Sequence, residues 1–243
     1  MPIVGKTNTG KQRKMNEDAF FAEKIDNIYL AVVCDGMGGV KGGNVASSTA
    51  VRGFVEAYKK SDMMASKEYG TALAYAVSCA NEDILLRIVA RPDLRGMGTT
   101  MVAFVFDTEA RHYYAANVGD SRLYFIDDKT HTLVQITKDH SHVQDLVDSG
   151  LITKEEAENH PQKNVITRVL GVDEGLIVDF FDNPYEPGIF LLCSDGLTNY
   201  VSEKDINSYV AQYDDLEHCV NELINKANEN GGGDNITAVL VRP

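Results

Sequence analysis

Basic side chains are scarce in this chain: 23 lysines and arginines face 36 aspartates and glutamates, giving a net charge of −13 over 243 residues. A surface of that sign repels nucleic acid and anionic membrane, so neither is expected as a main partner. Cysteine is sparse too. Cys34, Cys79, Cys193 and Cys219 are far apart and form no Cys-x-x-Cys pair, which argues against structural zinc. They read as small buried hydrophobes in a reducing compartment. No apolar run approaches the ~20 residues that cross a bilayer. The opening MPIVGKTNTGKQRK holds no apolar core of signal-peptide length. The expectation is a cytoplasmic monomer. Internal repeats, low-complexity stretches and linkers are also missing, so residues 1–243 are expected to form one domain with its own core.

Short apolar runs bounded by turn residues predict strands at 28–34, 100–106, 112–118, 121–126, 131–136, 176–181, 188–193 and 236–241. Several follow one another too closely for parallel crossover units, so antiparallel pairing is expected. Helical spacing places Val51, Phe54, Val55 and Tyr58 on one face of a helix capped by Asn44. Tyr69, Leu73, Val77, Ala80, Ile84 and Ile88 mark a longer helix capped by Ser66 and ended by Pro92. Leu216, Val220, Leu223, Ile224 and Ala227 mark a third, stopped by the glycines at 231–233. Antiparallel strands with helices on the outer faces give a layered α+β domain. Residues 139–168 are polar and helix-prone, broken at Gly150 and Pro161. They read as a surface excursion of two short helices, a candidate lid.

Four strand ends carry an aspartate beside a glycine or asparagine: Asp35, Asp120, Asp195 and Asp234, with Asn16, Glu17 and Asp18 adding a fifth acidic spot. Any one Asp–Gly pair is ordinary turn chemistry. If the ends converge, several carboxylates share one space, and like charges that close need compensation. Carboxylates and carbonyls suit a hard cation such as Mg²⁺, Mn²⁺ or Ca²⁺.

The blocks RKMNED (13–18), VVCDGMGG (32–39), GTT (98–100), NVGDSRLY (117–124), TKDHSHV (137–143), NVITRVLG (164–171), LLCSDGL (191–197) and GGGDNITAVLV (231–241) run nearly end to end. In content and order they resemble the metal-dependent protein Ser/Thr phosphatases of type 2C, in particular their compact bacterial branch. The resemblance implies a four-layer αββα sandwich of two antiparallel sheets with flanking helices and a small flap. It also implies hydrolysis of phosphoserine and phosphothreonine by water activated between two Mn²⁺ or Mg²⁺ ions. Asp35 resembles the carboxylate that bridges both ions, with the Gly36 carbonyl on the second ion and Asp195 and Asp234 on the first. Asp18 and Glu17 resemble residues that hold waters on the ions. Asp120, with Asp195, resembles the site of a third, weaker ion. Arg13 resembles a phosphate clamp; without Asn16–Glu17–Asp18 beside it, it would read as a plain surface arginine near Lys11 and Lys14. The partners implied are phosphorylated proteins, including a Ser/Thr kinase and its substrates.

Other readings stand beside this one. Met37 and Val40 occupy places where many family members carry a histidine assigned as general acid, leaving a metal-bound water, or His140 if the lid brings it close, as the alternative donor. Gly119–Asp120–Ser121 matches the tripeptide of serine proteases but lacks the glycines that follow there. GMGGVKGG at 36–43 lacks the Gly-Lys-Ser/Thr ending of a phosphate loop. His140 and His142 read as a loop hinge or satisfied surface histidines before they read as a zinc pair. From other functional classes, a catalytically weak phosphoprotein-binding regulatory module and a calcium-binding structural protein are the competitors.

Overall fold

The computed structural model describes residues 1–37, 42–64, 66–172 and 175–243. Strand β3 (Ile28–Met37) shows why the chain builds two stacked sheets. Ile28, Leu30, Val32 and Cys34 point into one core, whereas Tyr29, Ala31 and Val33 point into another. A strand covered on both faces reads as a continuous apolar run. The same alternation recurs in β10 (Gly188–Cys193), where Ile189, Leu191 and Cys193 face one core and Phe190 and Leu192 the other.

The remaining strands are β1 (Ile3–Asn8), β2 (Asp18–Ile25), β4 (Gly98–Thr99), β5 (Met101–Asp107), β6 (His112–Val118), β7 (Arg122–Asp127), β8 (Leu133–Gln135), β9 (Asp179–Pro184) and β11 (Ile236–Val241). One sheet runs β1-β11-β10-β7-β8; the other runs β2-β3-β5-β6-β9, with β4 paired to β3. The pairings are antiparallel. The sheets face each other across Val33, Phe104, Phe190 and Val239. Helices α1 (Gly43–Lys60) and α2 (Tyr69–Ala90) cover one outer face. Helices α5 (Asp195–Thr198), α6 (Glu203–Gln212) and α7 (Leu216–Glu229) cover the other. Short helices α3 (His142–Asp148) and α4 (Lys154–Glu158) lie within 139–168.

Several local expectations are corrected. Asn44 does not cap α1, which begins at Gly43 with Gly42 in the capping position and no side-chain cap. The Glu17 carboxylate lies against Gly43 instead, where the helix dipole favours negative charge. Ser66 does not cap α2, because its hydroxyl donates back to the Asp62 carbonyl (3.2 Å) and Glu68 holds the capping position. The strand expected at 176–181 is displaced to β9: Leu176 and Val178 pack on the α1–α2 core, while pairing with β6 starts at Asp179. Strands β1 and β2 and helices α5 and α6 had no clear periodic signal. Val40, with Gly38, Gly39 and Lys41, lies outside the described residues.

Register brings the acidic positions together. Asp18 pairs with Asp35 across β2–β3. Val33 pairs with Val102 and Met101 with Val118, which places the turn after β6 beside the end of β3. Cys193 pairs with Ala238, so the end of β10 meets the start of β11. Gly36 sits at the tightest point, where an added Cβ would fall on the Gly43 carbonyl oxygen and come within 2.6 Å of that of Glu17. Gly36→Ala is therefore expected to destabilise the protein by about 1–3 kcal/mol through overpacking. The measurement is a urea midpoint, and an unchanged midpoint would show that these three backbones are not in close contact.

Candidate metal centre

Asp35, on β3, is fixed by its backbone rather than by its side chain. Its N–H donates to Thr100 Oγ1 (2.9 Å), and its carbonyl accepts from the Thr100 N–H (2.9 Å) and from Thr99 Oγ1 (2.8 Å). The carboxylate is left free to face its neighbours. Asp195 opens α5, and its carboxylate lies within hydrogen-bond reach of Asp35 while one oxygen accepts from Asn199 Nδ2 (2.9 Å). Asp18 is buried; its Oδ2 accepts from Ser194 Oγ (2.8 Å) and Thr237 Oγ1 (2.6 Å). Asp120 is buried in the turn between β6 and β7. Asp234 precedes β11 and caps the amide of Asn235 (2.8 Å).

Asp18 Oδ1, Asp120 Oδ1 and Asp195 Oδ1 are buried and have no hydrogen-bond donor among the described residues. Burial first, and then the charges of Asp195 and Asp234, push Asp18 up to about 7 against the bonds from Thr237 and Ser194. Burial, then Asp195 and Asp139, pushes Asp120 up to about 8. Burial also raises Asp35 and Asp195; Asp35 feels the charges of Asp18, Asp195, Asp120 and Asp234 as well. Asp35 and Asp195 nevertheless keep an opening to solvent, by which an ion can enter.

An all-oxygen donor set with orphaned carboxylate oxygens fits a hard divalent cation. Among the described residues, no three His, Cys, Asp or Glu side chains close into a ready-made cage. That suits an ion which keeps several of its waters and takes few direct protein ligands. Glu17 lies at the same edge, with its N–H on Asn235 Oδ1 (2.8 Å) and its carbonyl accepting from Gly36 N (3.1 Å). Arg13, half exposed, places Nη2 2.8 Å from Asp234 Oδ2 and Nε 3.4 Å from the Gly233 carbonyl.

The hydroxyls of Thr99, Thr100, Ser194 and Thr237 and the amide of Asn235 escaped the sequence reading. Thr99 and Thr100 fall in the block GTT, and Ser194, Asn235 and Thr237 stand near strand-end aspartates, but no local pattern assigns them a bond. His140 is corrected in two respects. It is buried, not a surface residue, and both ring nitrogens are engaged: Nδ1 accepts from the Gly119 N–H (3.0 Å) and Nε2 faces Asp179 Oδ2 (3.1 Å). It has no nitrogen free to serve as a general acid. Beside the carboxylates a cleft of about 630 Å³ is lined by Asp120, Asp195, Val143, Val147, Lys163 and Glu203, among others. The segment expected as a lid thus supplies one of its walls.

Three findings place this architecture among known proteins. The family model described as protein phosphatase 2C matches residues 6–240. A serine/threonine phosphatase stp of Listeria monocytogenes is 41% identical over 239 residues, covering 97% of this chain and 93% of that protein. Among solved structures, the serine/threonine phosphatase Stp1 from Staphylococcus aureus superposes with a TM-score of 0.91 at 34% identity, covering 99% of this chain and 94% of that one. The catalytic domain of the serine threonine protein phosphatase PstP, in complex with two manganese ions, superposes with a TM-score of 0.83 at 32% identity, covering 99% and 96%.

A buried acid whose folded pKa exceeds its unfolded value favours folding below the unfolded value and loses that contribution as pH rises through the folded one. For Asp120 the window runs from 3.8 to about 8. In chelator, Asp120→Asn should therefore gain stability over the wild type as pH rises from 5 to about 8.5, with little difference near pH 4. Thermal melts across that range check it; a pH-independent difference would contradict the crowding of carboxylates around Asp120.

Proposed function

The chain belongs to the protein phosphatase 2C family and is a protein serine/threonine phosphatase, and from that footing we propose that it works with two Mn²⁺ or Mg²⁺ ions held by the Asp35–Asp195–Asp234 edge. The observation that carries the proposal is the cluster of buried carboxylate oxygens with no donor among the described residues. When bound, such an ion pair lowers the pKa of a shared water and offsets charge on the phosphoryl oxygens. Asp35 would bridge the two ions, with the Gly36 carbonyl beside it, and Asp195 and Asp234 would complete the direct ligands. Asp18, through its orphaned Oδ1, and Glu17 would orient waters. Asp120, with Asp195, would hold a third and weaker ion.

Arg13 is the residue for the substrate. Its guanidinium is a planar fork suited to two phosphate oxygens, and it stands at the Asp234 end of the cluster. The Thr99 and Thr100 hydroxyls keep Asp35 from swinging out of line. Residues 1–243 would act as one catalytic domain with 139–168 as its flap, on phosphoproteins that include a Ser/Thr kinase and its substrates.

Hydrolysis of nitrophenyl phosphate and of a phosphothreonine peptide, each with and without added Mn²⁺ after chelation, tests the proposal; turnover indifferent to the metal would refute it. Asp35→Ala and Asp234→Ala should each lose roughly 10³-fold in kcat/KM, about 4 kcal/mol, and bind Mn²⁺ more weakly in calorimetry. Retained affinity and turnover in both would remove them from the site. Asp120→Ala should instead keep the tight Mn²⁺ binding while turnover falls. Loss of tight binding would place Asp120 among the ligands of the central pair.

A further inference from the structure

The buried imidazole of His140 lies outside the machinery described above, yet it touches the turn that carries Asp120. Strand β6 ends at Val118, so Gly119 has left the sheet ladder. Its φ of +107° is closed to ordinary side chains, and an added Cβ would come within 2.6 Å of Thr100 Cγ2. The Gly119 amide is bonded by His140 Nδ1 at 3.0 Å, and the Gly119 carbonyl accepts from the His140 N–H at 3.0 Å. The imidazole and backbone of one residue thus grip both polar groups of the other, as a strand partner would.

With Nδ1 accepting, Nε2 is the other polar atom of the ring, and it lies 3.1 Å from both Asp179 Oδ2 and Arg168 Nη1. Arg168 Nη1 donates to Asp179 Oδ1 (2.9 Å) and fixes that carboxylate from the far side of the excursion. His140 also joins the two arms of the 139–168 segment, because its carbonyl accepts from Thr167 N (2.8 Å). A second tie runs in parallel. Asp139 accepts Arg122 Nε (2.9 Å) and Nη2 (2.7 Å), so residues 139–140 clasp the chain on both sides of Asp120.

We propose that His140 is a positioning residue whose paired bonds to Gly119 make the Asp120 carboxylate and the root of the 139–168 segment move as one unit. Removing the imidazole leaves a buried Gly119 N–H without an acceptor. The turn then loosens, and the segment that walls the cleft loosens with it. The consequence for metal binding rests on the reading of Asp120 as an ion ligand.

Amide hydrogen exchange on the full chain, read at Gly119–Ser121 and at 142–158, is the test, paired with Mn²⁺ dependence of nitrophenyl phosphate turnover. His140→Ala should speed exchange in both segments roughly tenfold. It should raise the half-activating Mn²⁺ concentration by a similar factor while sparing kcat at saturating metal. His140→Asn keeps an oxygen where Nδ1 stood and should restore protection at Gly119. His140→Gln reaches toward Asp179 but not Gly119 and should remain loose. If His140→Ala fails to fold, the comparison of Asn with Gln carries the test. Unchanged exchange at Gly119 in His140→Ala, or equal behaviour of Asn and Gln, would overturn the proposal. Faster exchange with unaltered Mn²⁺ dependence would uphold the coupling and overturn the role of Asp120 as an ion ligand.

Discussion

Carboxylates taken out of water at one point repel each other, and everything at this edge of the sandwich is arranged around that repulsion. Asp18 and Asp35 are cross-strand partners, and Asp35 and Asp195 lie within hydrogen-bond reach. Burial and mutual charge drive Asp18, Asp35, Asp120 and Asp195 all upward. Hydroxyl donors relieve part of this at Asp18, and Arg13 forms an ion pair with Asp234 at 2.8 Å. The oxygens with no donor among the described residues are those a divalent cation would neutralise.

The two sheets make such crowding possible. Their apolar faces interlock through Phe104, Phe190 and neighbouring rings, with Phe104 and Phe190 centroids 4.6 Å apart. That core fixes the strand registers, and the registers fix which ends coincide. The hydroxyls of Thr99 and Thr100 bond the Asp35 backbone, and Ser194 and Thr237 hold the Asp18 carboxylate while Ser194 also takes the Thr237 amide. A site whose supports are backbone bonds between strands is rigid without ligands of its own.

Much of this was legible in the sequence, for physical reasons that can be traced. Strands β3, β10 and β11 are buried on both faces and therefore appear as unbroken apolar runs ending at Asp35 and Asp195 or starting after Asp234. Helix α7 shows its buried stripe at Leu216, Val220, Leu223, Ile224 and Ala227 because its other face is solvated. Strands β1 and β2 hid because they lie at sheet edges, are only part-buried and carry Lys6, Asn8, Glu23 and Lys24. Caps misled because α1 begins at Gly43, one residue before Asn44, and because the Ser66 hydroxyl turns back to the Asp62 carbonyl. That the strand ends meet at one edge depends on pairing register, which no single stretch encodes. The grip of His140 on Gly119 joins residues 21 apart in sequence through a loop geometry with no local signature.

The central claim is that divalent ions reside among these aspartates. Anomalous diffraction at the manganese edge from crystals grown with Mn²⁺ would locate them directly. Peaks within coordination distance of the Asp35, Asp195 and Asp234 carboxylates are expected, with Asp35 shared between two of them. Peaks confined to other parts of the molecule, or absent from this edge at saturating Mn²⁺, would contradict the assignment.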